Sequence, residues 1–313
     1  MDGSGESRRG TIAAFATYGM WGLFPLYWKQ LAAVDPVQIL CHRIFWAAIF
    51  SVLLLAASRR LGDLAAIFKS RAGLLSVACS GALITFNWGI YIWAVNHGRI
   101  TESSLGYYIN PLLSIVLGAV FFRERLDRWT KAAFLVAAAG VAGASIMLGT
   151  PPWISLALAT SFALYGAVKK RIGLEPALGL AAETLIVAPL AIAYLMVMGA
   201  RGEGALGGPD LKANVLLVLA GVVTAVPLLS FAYATNRISL QRIGFIQYLS
   251  PSFQLALGLA VYGERLSAPL ALAFATVIAA VLIYALSRRA AGAGGEGAAG
   301  AGGPRGAGGA TNA

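Results

Sequence analysis

The chain alternates between apolar blocks of about twenty residues and short polar gaps. Ten such blocks run over 11–31, 38–57, 73–95, 101–122, 129–149, 152–169, 177–199, 213–235, 240–262 and 268–286. About twenty apolar residues, rising 1.5 Å each, cross roughly 30 Å of hydrocarbon. The pattern therefore predicts an all-α integral membrane protein of ten transmembrane helices. The gaps carry stop and start signals: Asp35-Pro36, Pro151-Pro152, Glu175-Pro176, and a loop from Arg201 to Leu211 containing Gly207-Gly208-Pro209.

The basic residues orient these helices. Segments on the side of the N-terminus hold Arg8, Arg9, Arg59, Arg60, Lys69, Arg71, Arg123, Arg125, Arg128, Lys131, Lys169, Lys170, Arg171, Arg237, Arg242, Arg288, Arg289 and Arg305. The opposite segments hold only Lys29, Arg99, Arg201, Lys212 and Arg265. An excess of Lys and Arg marks the cytoplasmic side, so both termini are expected in the cytoplasm. The first block follows Arg8-Arg9 but is longer than a signal-peptide core and lacks a small-x-small cleavage site. It is read as a retained helix.

Composition agrees with a lipid setting. The 313 residues are 58% hydrophobic and 12% charged, against about 25% charged in a typical soluble domain. A net charge of +11 would suggest nucleic acid in a soluble chain. Here the basic residues sit in short gaps with no aromatic-basic array, so membrane lipid and not nucleic acid is the expected surrounding. Cys41 and Cys79 fall inside apolar blocks and read as small hydrophobes. Residues 290–313 are a Gly/Ala-rich segment expected to be a disordered cytoplasmic tail. Its Gly292-x-Gly294-x-x-Gly297 has no flanking strand and helix, so it does not read as a dinucleotide site. No Walker, HExxH, Cys/His or GxSxG pattern occurs. No ATP site, metal, cofactor or enzymatic activity is expected.

An internal repeat says more. Asn96, Tyr108, Pro111, Leu117, Gly118, Glu124, Arg125 and Leu126 recur, 140 residues on and without a gap, as Asn236, Tyr248, Pro251, Leu257, Gly258, Glu264, Arg265 and Leu266. Lys29, Asp35 and Pro36 recur as Lys169, Glu175 and Pro176. This predicts a first five-helix repeat over 1–150, a second over 151–289, and the tail over 290–313. Five is odd, so the second repeat must lie inverted in the membrane. Inverted repeats let one plan form an outer and an inner gate around a midplane site, which points to a transporter working by alternating access. A membrane-embedded enzyme acting on lipid or isoprenoid substrates, or a non-transporting scaffold, are the alternatives.

Polar residues inside the blocks need a partner or water. Arg43 lies near the start of helix two, and its repeat-mate is Glu183 in helix seven. The two could pair across the axis or flank an amphiphilic substrate, while Arg43 alone could snorkel to the interface. Glu183, an acid well inside a helix, is also the candidate for a coupling proton. Helix four carries Ser103, Tyr107, Asn110 and Ser114 on one face, and helix nine matches with Gln247, Ser250 and Gln254 beside Tyr248. These stripes line a cavity or act as interhelical hydrogen bonds. Pro111 and Pro251 interrupt them, and with Pro25 in helix one they are the candidate hinges. Tyr18, Trp21, Asn87, Trp88 and Tyr91 sit deep enough to stack a flat substrate, or else pack helices. Trp28 and Trp93 are read as interface-belt residues. Gly140 and Ala144 suit close helix packing or a homodimer.

With these residues in view, the chain resembles the EamA-domain permeases of the drug/metabolite transporter superfamily. The stretches Gly19-Met20-Trp21-Gly22-Leu23-Phe24-Pro25-Leu26-Tyr27-Trp28-Lys29, His42-Arg43-Ile44-Phe45-Trp46, Asn87-Trp88-Gly89-Ile90-Tyr91-Ile92-Trp93-Ala94-Val95-Asn96, Ser104-Leu105-Gly106-Tyr107-Tyr108-Ile109-Asn110-Pro111-Leu112 and Phe245-Ile246-Gln247-Tyr248 are similar to its RarD subfamily. The resemblance spans residues 10–287. It implies a permease of the bacterial cytoplasmic membrane that exports drugs or other small molecules, and it supplies no substrate.

Overall fold

The computed structural model describes residues 3–123, 127–235, 237–238 and 246–300. Among the described residues there are eleven α-helices and no strand. They are α1 (Gly3–Trp28), α2 (Pro36–Ala57), α3 (Leu61–Lys69), α4 (Arg71–Asn96), α5 (Ile100–Phe122) and α6 (Arg128–Leu148). Then follow α7 (Trp153–Ile172), α8 (Pro176–Ala200), α9 (Leu211–Thr235), α10 (Leu249–Ala256, continued by a π-helical turn over Leu257–Val261) and α11 (Ala268–Gly300).

Seven of these, α2, α4, α5, α6, α8, α9 and α11, are long and apolar enough to cross a membrane, and Trp153–Lys169 and Leu249–Val261 are shorter apolar stretches. α1 has 26 residues, but its Trp, Tyr and Gly content dilutes the aliphatic side chains. The short α3 is not among the expected blocks. It turns Leu64 into a cluster with Ile67, Phe68 and Leu178 and leaves Leu61 exposed. α11 continues beyond the expected end at 286 as far as Gly300, and residues 301–313 lie outside the described residues.

Local chemistry sets the helix starts. Asp35 Oδ1 accepts the N–H groups of Val37 and Gln38 at 3.0 and 3.1 Å, with Pro36 as the first helical residue of α2. Glu175 and Pro176 open α8 in the same way, through the Ala177 N–H at 3.4 Å. A carboxylate cap followed by proline satisfies donors that have no helical acceptor. α5 has no such cap of its own, because Arg99 offers no side-chain acceptor. Glu264, just beyond α10, supplies it: its carboxylate accepts the N–H of Ile100 at 2.8 Å, the N–H of Thr101 at 2.7 Å and the Thr101 hydroxyl at 2.7 Å.

The helices pack in a crossed pattern. α6 lies along α11, α5 along α7, and α2 against both α8 and α9, while α4 contacts α7 and α8, and α1 contacts α9 and α10. α2 and α8 run antiparallel: Cys41, Ile44 and Ala48 meet Ala188 and Ala191 at one end, and Leu55 meets Leu178, Ala181 and Ala182 at the other. Glycine permits the closest approaches. A Cβ on Gly140 would run into Thr276 of α11, and one on Gly221 into the backbone of Trp46. Gly140 and Ala144 are thus buried against α11 of the same chain. Tyr108 and Tyr248 stack with ring centroids 5.9 Å apart.

Candidate functional site

One end of the bundle gathers the finish of α1 and α4 with the start of α2, α5, α7 and α9. The Gln38 amide ties α2 to the loop before α9, through Glu203 O at 2.9 Å and the Ala205 N–H at 2.7 Å. Lys29 Nζ donates to the terminal carbonyls of α4, Val95 at 3.1 Å and Asn96 at 3.4 Å. A cation there meets the negative end of the helix dipole.

Arg43 sits about 10 Å along α2 from its first residue, at 1.5 Å per residue. Its side chain is buried, at 3% exposure, so it does not snorkel to the interface. The guanidinium carbon lies 4.0 Å from the ring centroid of Trp88 and 5.1 Å from that of Trp28. Tyr107, Tyr91 and Tyr27 are its electrostatic neighbours. No ion pair among the described residues includes Arg43, and its Nε and Nη1 have no hydrogen-bond acceptor. The indole N–H of Trp28 and the hydroxyl of Tyr91 are buried without a partner as well. Two cation–π contacts return about 0.5–2 kcal/mol each, against several kcal/mol for desolvating an ion. The cation is held at a net cost by the rest of the fold.

Beside this cluster Asn87 and Tyr107 are hydrogen-bonded. The Asn87 amide donates to Leu158 O at 3.0 Å and Ser161 Oγ at 2.9 Å, and Asn87 Oδ1 accepts the Tyr107 hydroxyl at 3.3 Å. Tyr107 packs edge-on to Tyr91, centroids 5.7 Å apart, and to Phe162 at 6.1 Å. These bonds lock α4, α5 and α7 together beside Arg43.

Glu183 is elsewhere. Its Oε1 lies 3.1 Å from Lys169 Nζ, and its Oε2 accepts the Tyr165 hydroxyl at 3.1 Å. Of the two readings open for this couple, pairing of Glu183 with Arg43 does not form in this conformation. The reason is geometric. Both residues are eighth in their helices, and because α2 and α8 run antiparallel their eighth residues fall at opposite depths. The contacts of Cys41 and Leu55 put Arg43 level with a position near Pro189, about 10 Å along the axis from Glu183.

The remaining candidates are dispersed. Tyr18 and Trp21 pack with Phe231 at the α1–α9 contact. Pro25 has no N–H for the carbonyl of Trp21, which instead accepts the Gln254 amide at 3.5 Å. Asn110 donates to Ala159 O at 3.3 Å, and Ser104 to Pro251 O at 2.7 Å. Ser250 Oγ accepts from Gln254 at 3.3 Å, and Gln247 and Tyr248 form the turn before α10. Pro111 sits inside α5, whereas Pro251 falls in the first turn of α10. The structure thus brings Arg43, Asn87, Trp88, Tyr91 and Tyr107 together and adds Trp28 and Tyr27. Trp28 is fully buried and is a site-wall residue, not a belt residue. Trp93, half-buried and stacked on His97 with centroids 4.4 Å apart, does lie at the helix end.

A bundle of apolar helices crossed between two matching halves, with a buried cation among aromatics, has the features of a membrane permease. The sequence profile of the EamA-like transporter family matches residues 8–146 and again 151–286. The chain belongs to this family, within the drug/metabolite transporter superfamily, and is a multi-pass membrane transporter. Its relatives place it with the RarD subfamily. It is 37% identical over 281 residues to the protein RarD of Escherichia coli (strain K12), covering 90% of this chain and 95% of the relative. It is 43% identical over 288 residues to an uncharacterized transporter, YojE, of Bacillus subtilis (strain 168), covering 90% and 95%. A solved crystal structure with a TM-score of 0.60 and 18% identity, covering 90% of this chain and 98% of that one, shares the fold alone.

Proposed function

We propose that this transporter works by alternating access in a bacterial cytoplasmic membrane, with ten spanning helices built as two inverted repeats, 1–150 and 151–289, and both termini cytoplasmic. One observation carries the reading. Adding or subtracting 140 residues exchanges α1 with α7, α2 with α8, α4 with α9, α5 with α10 and α6 with α11. That exchange turns the α5–α7 contact into α10–α1, α4–α7 into α9–α1, and α2–α9 into α8–α4, while α2–α8 and α6–α11 map onto themselves. The stacked Tyr108 and Tyr248 are such mates. Principal helix pairs that map onto one another under this exchange are what a two-fold axis in the membrane plane produces, and they support two gates related by that axis.

The substrate is a small molecule, bound against Arg43, Trp88, Tyr91 and Tyr107 with Asn87 bracing them. Glu183, tied to Lys169, is the acid assigned to carry a coupling proton. The test uses vesicles reconstituted with the full chain and loaded with a bacterial small-molecule extract, with efflux followed by mass spectrometry. A defined set of solutes is expected to leave only from vesicles containing the chain. Loss identical to empty vesicles, or chemical conversion of the lipid instead, would reject transport. For topology, reporters after Arg71 and Arg289 are expected in the cytoplasm and one near Gly207 outside. An external C-terminus would break the inverted repeat.

A further inference from the structure

We infer that the Arg43 cluster is the binding site for an anionic headgroup, and that the transported solutes are small organic anions carrying a carboxylate or a comparable oxyanion. The inference rests on the transport reading and names its substrate class.

Three observations converge. The first is a comparison between the halves. Lys169 and Glu183 neutralise each other at 3.1 Å. The positions 140 residues earlier hold Lys29 and Arg43, both cations. Lys29 is occupied by the carbonyls ending α4, whereas Arg43, standing where its mate is a carboxylate, has no counter-charge among the described residues. One half of the fold cancels its own charge and the other leaves a positive charge buried.

The second is the kind of group left over. Arg43 Nε, Arg43 Nη1, Trp28 Nε1 and the Tyr91 hydroxyl are buried without partners, and the first three are purely donors. What completes this set must bring acceptors and negative charge. An oxyanion does both, and a guanidinium fork receives a planar carboxylate in a bidentate pair. A cation or a donor-rich neutral group would leave the same atoms unsatisfied.

The third is shape. Trp88 and Trp28 lie against the guanidinium, so an acceptor must meet its N–H edge and not its faces. Tyr91 and Tyr107 flank it with aromatic surface for an apolar or aromatic body. Burial strengthens the attraction, since the effective dielectric there is far below that of water.

The test is binding to the purified full chain in nanodiscs of zwitterionic lipid, read by tryptophan fluorescence and thermal unfolding. The probes are acetate, benzoate and inorganic phosphate, with acetamide, benzamide and benzylamine as uncharged or cationic counterparts. At least one anion is expected to quench fluorescence saturably and to raise the melting temperature by several degrees, with its counterpart doing neither. Arg43→Lys keeps charge without the fork and is expected to weaken that binding about tenfold. Arg43→Gln is expected to abolish it. Without anion, Arg43→Gln should melt at or above the wild-type temperature, because it removes an unpaired buried charge. A purely structural arginine would do the reverse.

No response to any anion, equal binding of benzamide and benzoate, or unchanged binding in a folded Arg43→Gln protein would each overturn the inference. Nanodiscs containing phosphatidylglycerol identify the source. If anionic lipid alone stabilises the chain through Arg43 and no soluble anion competes, the headgroup belongs to lipid and the solute assignment fails. Arg43-dependent anion binding without solute efflux would reject transport and keep the anion site. Efflux of only neutral or cationic solutes would do the opposite.

Discussion

Glu264 caps a helix to which it does not belong, and removing it should loosen the end of the bundle where α5 begins. Its two oxygens accept three hydrogen bonds, from the N–H groups of Ile100 and Thr101 and from the Thr101 hydroxyl. Hydrogen bonds to a charged group contribute about 1.5–3 kcal/mol net, and loss of a helix cap typically costs ~1 kcal/mol. Glu264 is only half-buried, so the lower figures apply, and Glu264→Ala is expected to destabilise by about 2–4 kcal/mol. At 1.4 kcal/mol per decade the unfolding equilibrium then shifts by roughly 30- to 1,000-fold. Glu264→Gln keeps one acceptor and loses the charge, for about half that cost. Thr101→Val removes only the hydroxyl bond, for about 1 kcal/mol. Denaturant unfolding of the three purified variants in one detergent, followed by tryptophan fluorescence, measures the order. A Glu264→Ala protein within ~0.5 kcal/mol of wild type, a difference too small for a lost cap, would refute the capping role. So would Thr101→Val costing as much as Glu264→Ala.

Two further outcomes follow from packing and charge. Gly140→Val should drive a methyl group into Thr276 and cost about 1–3 kcal/mol by overpacking. Thr276→Ala in the same protein should recover part of the lost folded yield, measured by size exclusion in detergent, and no recovery would place the damage elsewhere. Breaking the Lys169–Glu183 pair with Glu183→Gln should lower stability and, if the proton role holds, spare solute exchange while abolishing accumulation driven by a proton gradient. The swapped Lys169→Glu/Glu183→Lys protein should regain stability. A swap of Arg43 with Glu183 should not, since these two are separated by depth.

The chain's own chemistry announced seven apolar helices long enough to span, and two of the helix starts. Asp35-Pro36 and Glu175-Pro176 are caps because carboxylate and proline act within a few residues, and the structure uses both. The amphipathic α3 was legible in the spacing of Leu61, Leu64 and Phe68, but nine residues between two long apolar blocks read as a connection. The site was half visible. Arg43, Trp88, Tyr91 and Tyr107 stand out as polar or aromatic residues inside apolar blocks. Trp28 did not, because a tryptophan at a helix end faces lipid headgroups or the interior depending on a rotation that only packing decides. Whether Glu183 pairs with Arg43 was open in the sequence for a related reason: equal position in two repeats means equal depth only for parallel helices. The polar stripes of helices four and nine could not be sorted into lining and glue from periodicity. Tyr107 bonds Asn87 beside the Arg43 cluster while Asn110, three residues on, bonds the backbone of α7.

The contact between Gly140 and Thr276 also bears on how the protein is made. Nearly all the extensive helix contacts join an early helix to a late one, α1 to α9 and α10, α2 to α8, and α6 to α11. At about 5–20 residues per second, α6 leaves the ribosome on the order of ten seconds before the helix that will cover it. During that interval its small-residue face has only lipid, or an insertion factor, to lie against. The helices up to α6 therefore enter the bilayer as an unfinished set, and α11 completes their packing. Truncation from the C-terminal side, even of α11 alone, should strand the first half in a form the cell's membrane proteases recognise.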